Sequence, residues 1–226
     1  GFDDVINLLS FPNAFVALSS KAKNWAKSIN PLVRVEYIPN GVDLLSFKPR
    51  GRKRNFNLLR PVILCVGALV PGKRIDLIIK AVSRLEEVNL LVVGDGDSKD
   101  KLNELGKKLL GKRFEIIKIP YEQMPNVYRG ADVFSLPSAP YHSFEIVIVE
   151  AMATNLPVVA NDDPIRREIV GDAGLFIDPT NAQEYARALE RAFNTKWGDK
   201  PRKQAERFSW DKIAKQYESL FKELKK

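Results

Sequence analysis

The stretch HSFEIVIVE, residues 142–150, decides how this chain is read. It opens on the only histidine among 226 residues, His142, and sets four β-branched side chains between Glu145 and Glu150. By composition alone it is a strand. Its surroundings make it a helix. From residue 61 onward, short apolar runs at 61–67, 89–93, 114–119, 132–136, 156–160 and 175–177 alternate with amphipathic segments. One such segment covers 73–85, with Ile75, Ile78, Ile79 and Val82 on one face; LNELGKKLL and AQEYARALERAF are two more. Six apolar strands separated by helices imply an α/β fold with a Rossmann-like parallel six-stranded sheet and helices on both faces. The segment between 132–136 and 156–160 must then be a crossover helix. Phe144, Val147, Ile148 and Ala151 recur at helical spacing, which predicts a buried helix over 143–154. Tertiary context overrides the β propensity of its residues. His142 falls at the start of that helix and Glu150 about two turns in.

Composition bounds the rest. A hydrophobic fraction of 45% is that of a globular chain. No apolar run reaches the roughly 18 residues that span a bilayer. The single cysteine, Cys65, excludes a disulfide within the chain, and a reducing, cytoplasmic setting is expected. The net charge of +8 comes largely from FKPRGRKRN (47–55), GKKLLGKR (106–113), KPRKQ (200–204) and KELKK (222–226). These clusters are dispersed, mixed with acids and not interleaved with aromatics, so nucleic acid is not the expected partner. Solvated surface is the first reading. Peripheral contact with the cytoplasmic face of a membrane is the second.

Upstream of residue 61, FVALS reads as a strand, SKAKNWAKSI as a helix, VRVEYIP as a strand and NGVD as a turn. The chain starts mid-pattern, as if something preceded it. Residues 46–60 read as a basic linker, 61–205 as the sheet domain, and 206–226 as an amphipathic helix. That helix carries Phe208, Trp210, Ile213, Tyr217 and Phe221 on one side, and such a face needs a partner surface, for which one outside this chain is a candidate.

In a sheet of order 3-2-1-4-5-6, ligands bind over the carboxyl ends of the first and fourth strands. The loops there are GALVPGK (67–73) and PSAPYHS (137–143). GALVPGKR nearly matches a P-loop, but Arg74 stands where a hydroxyl should hold magnesium and Pro71 removes an amide. A nucleotide hydrolase is therefore not expected. Lys73 entering a helix still suits a phosphate; the alternative is a surface lysine in a turn. DGD at 95–97, with its central glycine, reads as a tight turn and not as a metal site. One histidine and one cysteine make a zinc cluster improbable, and no metal is expected.

Six ordered blocks carry a resemblance. YIPNGVD, VGALVPGKRIDLIIKAVSRL, LLVVGDGD, MPNVYRGADVFSLPS, FEIVIVEAMATNLPVVAND and GLFIDPTNAQEYARAL are similar to family 4 glycosyltransferases, retaining enzymes of the GT-B architecture. The likeness is to their C-terminal nucleotide-sugar donor-binding domain, one half of a GT-B fold, and residues 1–45 resemble the end of the N-terminal, acceptor-binding domain. It implies transfer of a sugar from a nucleoside diphosphate sugar, without a metal, to a glycan or lipid-linked acceptor held by an N-terminal domain. The chain alone is then expected to be inactive. The resemblance assigns Lys73 and His142 to catalysis, and Gly67, Lys73, Gly94, Lys118, Ser143, Phe144, Glu145, Ile146 and Glu150 to the donor. Lys73 matches the lysine that contacts the diphosphate. Glu150 matches the second glutamate of the family's Glu-x7-Glu motif, which accepts hydrogen bonds from ribose hydroxyls.

The chain departs from the family pattern at several positions. His142 replaces the first motif glutamate, Glu145 the glycine after the motif phenylalanine, and Ala68 an arginine. NDDPIRRE stands in place of a glycine-rich loop, although Glu168 still matches a family position. Glu145 is thereby expected to crowd and repel a donor phosphate. His142 either bonds the donor sugar or phosphate, or is a loop residue at the helix start. These substitutions also keep open a non-catalytic nucleotide- or sugar-phosphate-binding module, and an interaction domain docked through the C-terminal helix.

Overall fold

The computed structural model describes residues 2–140 and 144–225. The chain begins with α1 (Phe2–Leu9), β1 (Phe15–Ala17), α2 (Ser20–Ile29) and β2 (Val35–Tyr37). β1 and β2 pair in parallel as a separate two-stranded sheet, over a small core of Leu8, Ala17, Ala26, Val33 and Val35. The larger unit follows, built in order from β3 (Val62–Val66), α3 (Ile75–Val82), β4 (Asn89–Val93), α4 (Lys99–Leu110), β5 (Phe114–Ile117), α5 (Met124–Gly130), β6 (Val133–Leu136), α6 (Ile146–Ala153), β7 (Val158–Asn161), α7 (Pro164–Val170), β8 (Gly174–Ile177), α8 (Ala182–Asn194), α9 (Lys200–Ala205) and α10 (Trp210–Leu224).

The six strands β3–β8 form one parallel sheet of order β5-β4-β3-β6-β7-β8. This is the common 3-2-1-4-5-6 arrangement on which the placing of the ligand loops depends. Every residue of β3 and β4 is buried, as a parallel sheet covered on both faces requires. One helical layer brings together α3, α4 and α8; the other brings together α5, α6, α7 and α9. Cys65 lies fully buried in β3, and burial pushes its thiol up to about 12, so it stays protonated.

From Ile146 onward the decisive stretch is helical, as its neighbours demanded. α6 begins at Ile146, three residues later than the spacing suggested. Ile148, Val149, Glu150, Ala151, Met152 and Ala153 are all buried, so this helix is enclosed on all sides. That enclosure is why its composition mimics a central strand. α3 likewise starts at Ile75, not at 73. Pro71–Lys73 form a 3-10 turn, and Arg74 then adopts a left-handed backbone (φ 49°). The Arg74 guanidinium holds that kink by donating to the carbonyls of Pro137 (2.8 Å) and Ser138 (2.9 Å).

The apolar side of the tail finds a partner within the chain. Ile213 and Leu220 of α10 pack with Ile38, alongside Ala14, Val16 and Tyr217. Phe208 is buried in the main core, whereas Trp210 and Phe221 stay largely exposed. A bridge between Val42 and Ser209 fixes the crossing, and Glu168 of α7 accepts from the Ser20 amide at the start of α2 (3.1 Å). The basic stretch 46–60 is anchored too: Phe47 and Leu58 belong to the main core, and Arg202 donates to the Phe47 carbonyl (2.7 Å). Among the described residues, no helix is long and apolar enough to cross a membrane.

Candidate functional site

The candidate side chains Lys73, Glu145 and Arg166 come from the segments that follow β3, β6 and β7. The loop after β3 is positioned by glycines. A Cβ on Gly94 would sit 1.9 Å from the Gly67 carbonyl oxygen, so only glycine lets the ends of β3 and β4 approach this closely. Gly96 has a φ of +150° and packs against the backbone of Leu69; the Leu69 amide donates to the Asp95 carbonyl (2.9 Å). DGD is therefore the expected tight turn, and it braces the loop that carries Lys73. The Ala139 amide donates to the Gly72 carbonyl (2.8 Å), which ties that loop to the one after β6.

Within this frame Lys73 does not stand alone. Its Nζ lies 2.7 Å from both carboxylate oxygens of Glu145, and the two side chains are only 14% and 9% exposed. Glu145 occupies the N-cap position of α6 in an extended conformation (φ −91°, ψ 93°), but its side chain caps nothing. The carboxylate is turned instead toward the cations. Arg166, completely buried in α7, brings Nη2 within 3.5 Å of Glu145 Oε1 and donates from the same nitrogen to Ser138 Oγ (2.8 Å). Its Nη1 lies 3.6 Å from Asp163, whose carboxylate caps α7 through the amides of Ile165 (3.0 Å) and Arg166 (3.1 Å). Among the described residues, two cations and two carboxylates thus form a buried cluster. Glu145, expected to crowd and repel a donor phosphate, is the partner of Lys73 here.

A second polar focus lies further along α6. Glu150, 3% exposed, accepts from the hydroxyls of Tyr121 (Oε1, 3.0 Å) and Tyr128 (Oε2, 2.7 Å). Both rings pack on Phe47 at 5.8 Å between centroids. Burial raises the Glu150 carboxyl above its ordinary value, and the two hydroxyls partly offset this. Tyr121 is pushed up to about 12, by burial first and by the neighbouring carboxylate next. The folded chain thus holds the Glu150 proton more tightly than the unfolded chain. The associated stability is present at acidic pH and is lost as pH rises through the elevated pKa. Glu150→Gln, which cannot titrate, is expected to gain in melting temperature relative to the native chain from acidic to neutral pH, by about 2–4 °C per kcal/mol released. Melting curves across that range check this, and a difference that does not change with pH contradicts it.

The remaining expected residues are placed as follows. Phe144 is buried and packs edge-on against Phe208, with 5.6 Å between centroids, so its ring faces the core. Ile146 is half-buried at the start of α6. Lys118 follows β5 and pairs with Asp95 (2.8 Å) on the exposed surface; that lysine, followed by the Gly96 amide, holds the Asp95 carboxyl below its ordinary value. His142 and Ser143 lie outside the described residues. Arg166, Tyr121 and Tyr128 are the residues sequence reasoning did not single out.

Residues 48–211 match the model of the family described as glycosyl transferases group 1. The chain belongs to that family. It is 34% identical over 181 residues to a phosphatidyl-myo-inositol mannosyltransferase of Mycolicibacterium smegmatis, covering 77% of this chain and 46% of that one. It superposes on sucrose-phosphate synthase from Thermosynechococcus elongatus with a TM-score of 0.87 at 25% identity, over 99% of this chain and 61% of the other. The Anabaena protein HepE, solved in complex with UDP and glucose, shares the fold with a TM-score of 0.80 at 21% identity, over 96% of this chain and 67% of that one. The six-stranded unit is thus the Rossmann-like domain of a GT-B fold. This group 1 chain spans about half, or less, of the curated relatives it matches.

Proposed function

We propose that the chain is the donor-binding half of a nucleotide-sugar-dependent glycosyltransferase that retains anomeric configuration. The observation that carries this reading is the placement, at the switch point of the sheet, of a lysine whose ammonium reaches the start of a buried helix and of a ribose-suited carboxylate, Glu150, within that helix, in a chain of this family. Lys73, supported by Arg166, neutralises charge that develops on the diphosphate as the glycosidic bond breaks. No metal is needed for that role. An ionised Glu150 offers about four lone-pair positions, of which Tyr121 and Tyr128 use two. Tyr121 is 61% exposed, so its hydroxyl can yield to a ribose hydroxyl while Tyr128 remains. His142 and Ser143 lie in the segment that leads from β6 to this helix and belong to the proposed donor site.

The acceptor, a glycan or lipid-linked molecule, is held from the side of residues 1–45 together with an N-terminal domain. A largely apolar groove of 400 Å³ runs there, between Phe15, Ala22 and Trp25 on one side and Pro140 and Ile165 on the other. Transfer therefore requires more than this chain. The relatives' names support the reading: one is a mannosyltransferase, and a protein of the same fold was solved with UDP and glucose.

A second reading, a nucleotide-binding module without catalysis, is favoured by the occupied state of Lys73. Calorimetric titration with UDP, GDP and ADP tests the first. Binding of at least one, competed by its nucleotide sugar, is expected; no binding to any overturns the donor site. Loss of transfer in a longer chain that still binds would favour the second reading.

A further inference from the structure

We infer that Glu145 is an internal competitor for the anion that Lys73 and Arg166 serve, and that it sets the affinity and charge selectivity of this site. The inference rests on the donor-site reading above. Three features of the cluster carry it.

The first is geometry. Both carboxylate oxygens of Glu145 stand at 2.7 Å from Lys73 Nζ, so the carboxylate fills the positions that two oxygens of a phosphate would take on that ammonium. A phosphate can bond the same nitrogen fully only if Glu145 turns aside. The second is charge. Among the described residues, Lys73 and Arg166 are balanced by Glu145 and Asp163, and the side chains are nearly closed to water. An incoming anion therefore meets cations whose charge these carboxylates already offset. Displacement of Glu145 turns that site into one with a net positive charge facing the ligand.

The third is the way Glu145 is held. At the N-cap of α6 its side chain makes no capping bond, so the cations are what holds it inward. Rotation toward the first turn of α6 would leave the carboxylate near the positive end of the helix dipole. The residue thus has two settings: inward on Lys73, or turned toward the helix start once an anion has replaced it. A ligand with several phosphate oxygens and more than one charge can drive that exchange. A singly charged one competes poorly. The same carboxylate that weakens binding consequently selects for a diphosphate over a monoanion.

The test is calorimetric titration of the native chain, Glu145→Gln, Glu145→Gly and the double variant Lys73→Ala/Glu145→Gln, using UDP, GDP, ADP and inorganic pyrophosphate. Thermal melts confirm that each variant is folded. Removal of the carboxylate is expected to tighten binding of the nucleoside diphosphates about tenfold, as for the gain of a charge-assisted hydrogen bond. The gain should vanish in the double variant. Equal affinity of native chain and Glu145→Gln overturns the competition and leaves the donor reading standing. A gain that survives loss of Lys73 also overturns it. Absence of nucleotide binding in all four proteins overturns both readings. Loss of folding in both single variants would make Glu145 a structural residue and overturn the proposal as well.

Discussion

Arg166→Met is expected to destabilise the chain by about 3–5 kcal/mol, the cost of removing one partner from a buried ionic cluster. Arg166 is fully buried and reaches Ser138, Glu145 and Asp163 from one planar head. Methionine fills much of the same volume, so lost packing contributes little. What remains is two carboxylates in a poorly solvated place with one cation fewer. Arg166→Lys should recover only part of the loss, because an ammonium is a compact charge and lacks the fork that spans three partners. For a chain of this size each kcal/mol moves the melting temperature by about 2–4 °C, so a fall of about 10 °C is expected in a thermal melt. A fall of only a degree or two would show that the cluster contributes nothing beyond its own desolvation.

The second large effect is on binding. Lys73→Ala is expected to lower affinity for a nucleoside diphosphate by about 10- to 100-fold, the range for losing a hydrogen bond to a charged group. The loss has two sources, since the ammonium disappears and Glu145 is left facing the ligand without its close partner. Affinity for the corresponding nucleoside, which has no phosphate, should not change. That contrast separates a phosphate contact from a general disturbance of the fold. An equal loss for nucleoside and nucleotide would place Lys73 outside the diphosphate site.

The sheet was legible because parallel strands are buried on both faces and write themselves as apolar runs. PVILCVG and NLLVV could be nothing else once helical patterns separated them. The central helix was legible only by topology, since its own residues argue for a strand. Its start was misjudged by three residues, because Glu145 faces a lysine 72 positions earlier and does not cap the helix. Long-range ion pairs leave no local signal. Arg166 illustrates the same limit: in NDDPIRRE one arginine is fully buried and the next pairs with Asp162 at the surface, and nothing in their adjacency separates them. A local clue did exist at Asp163-Pro164, a favourable pair for opening a helix, which puts residue 166 within its first turn. Tyr121 and Tyr128 fall in a segment without strong periodicity, so their convergence on Glu150 required the fold. Phe47 was concealed by the basic residues after it, although an aromatic at the head of such a run is a candidate apolar anchor.

In the proposed donor site the diphosphate lies on Lys73 and the ribose on Glu150. A crystal of the chain soaked with whichever of UDP, GDP or ADP it binds tests this directly. The expected result is a diphosphate within hydrogen-bond reach of Lys73 Nζ, Glu145 turned away from that nitrogen, and ribose hydroxyls on Glu150 in place of the Tyr121 hydroxyl. A nucleotide bound elsewhere, with the Lys73–Glu145 pair and both tyrosine contacts intact, would contradict it.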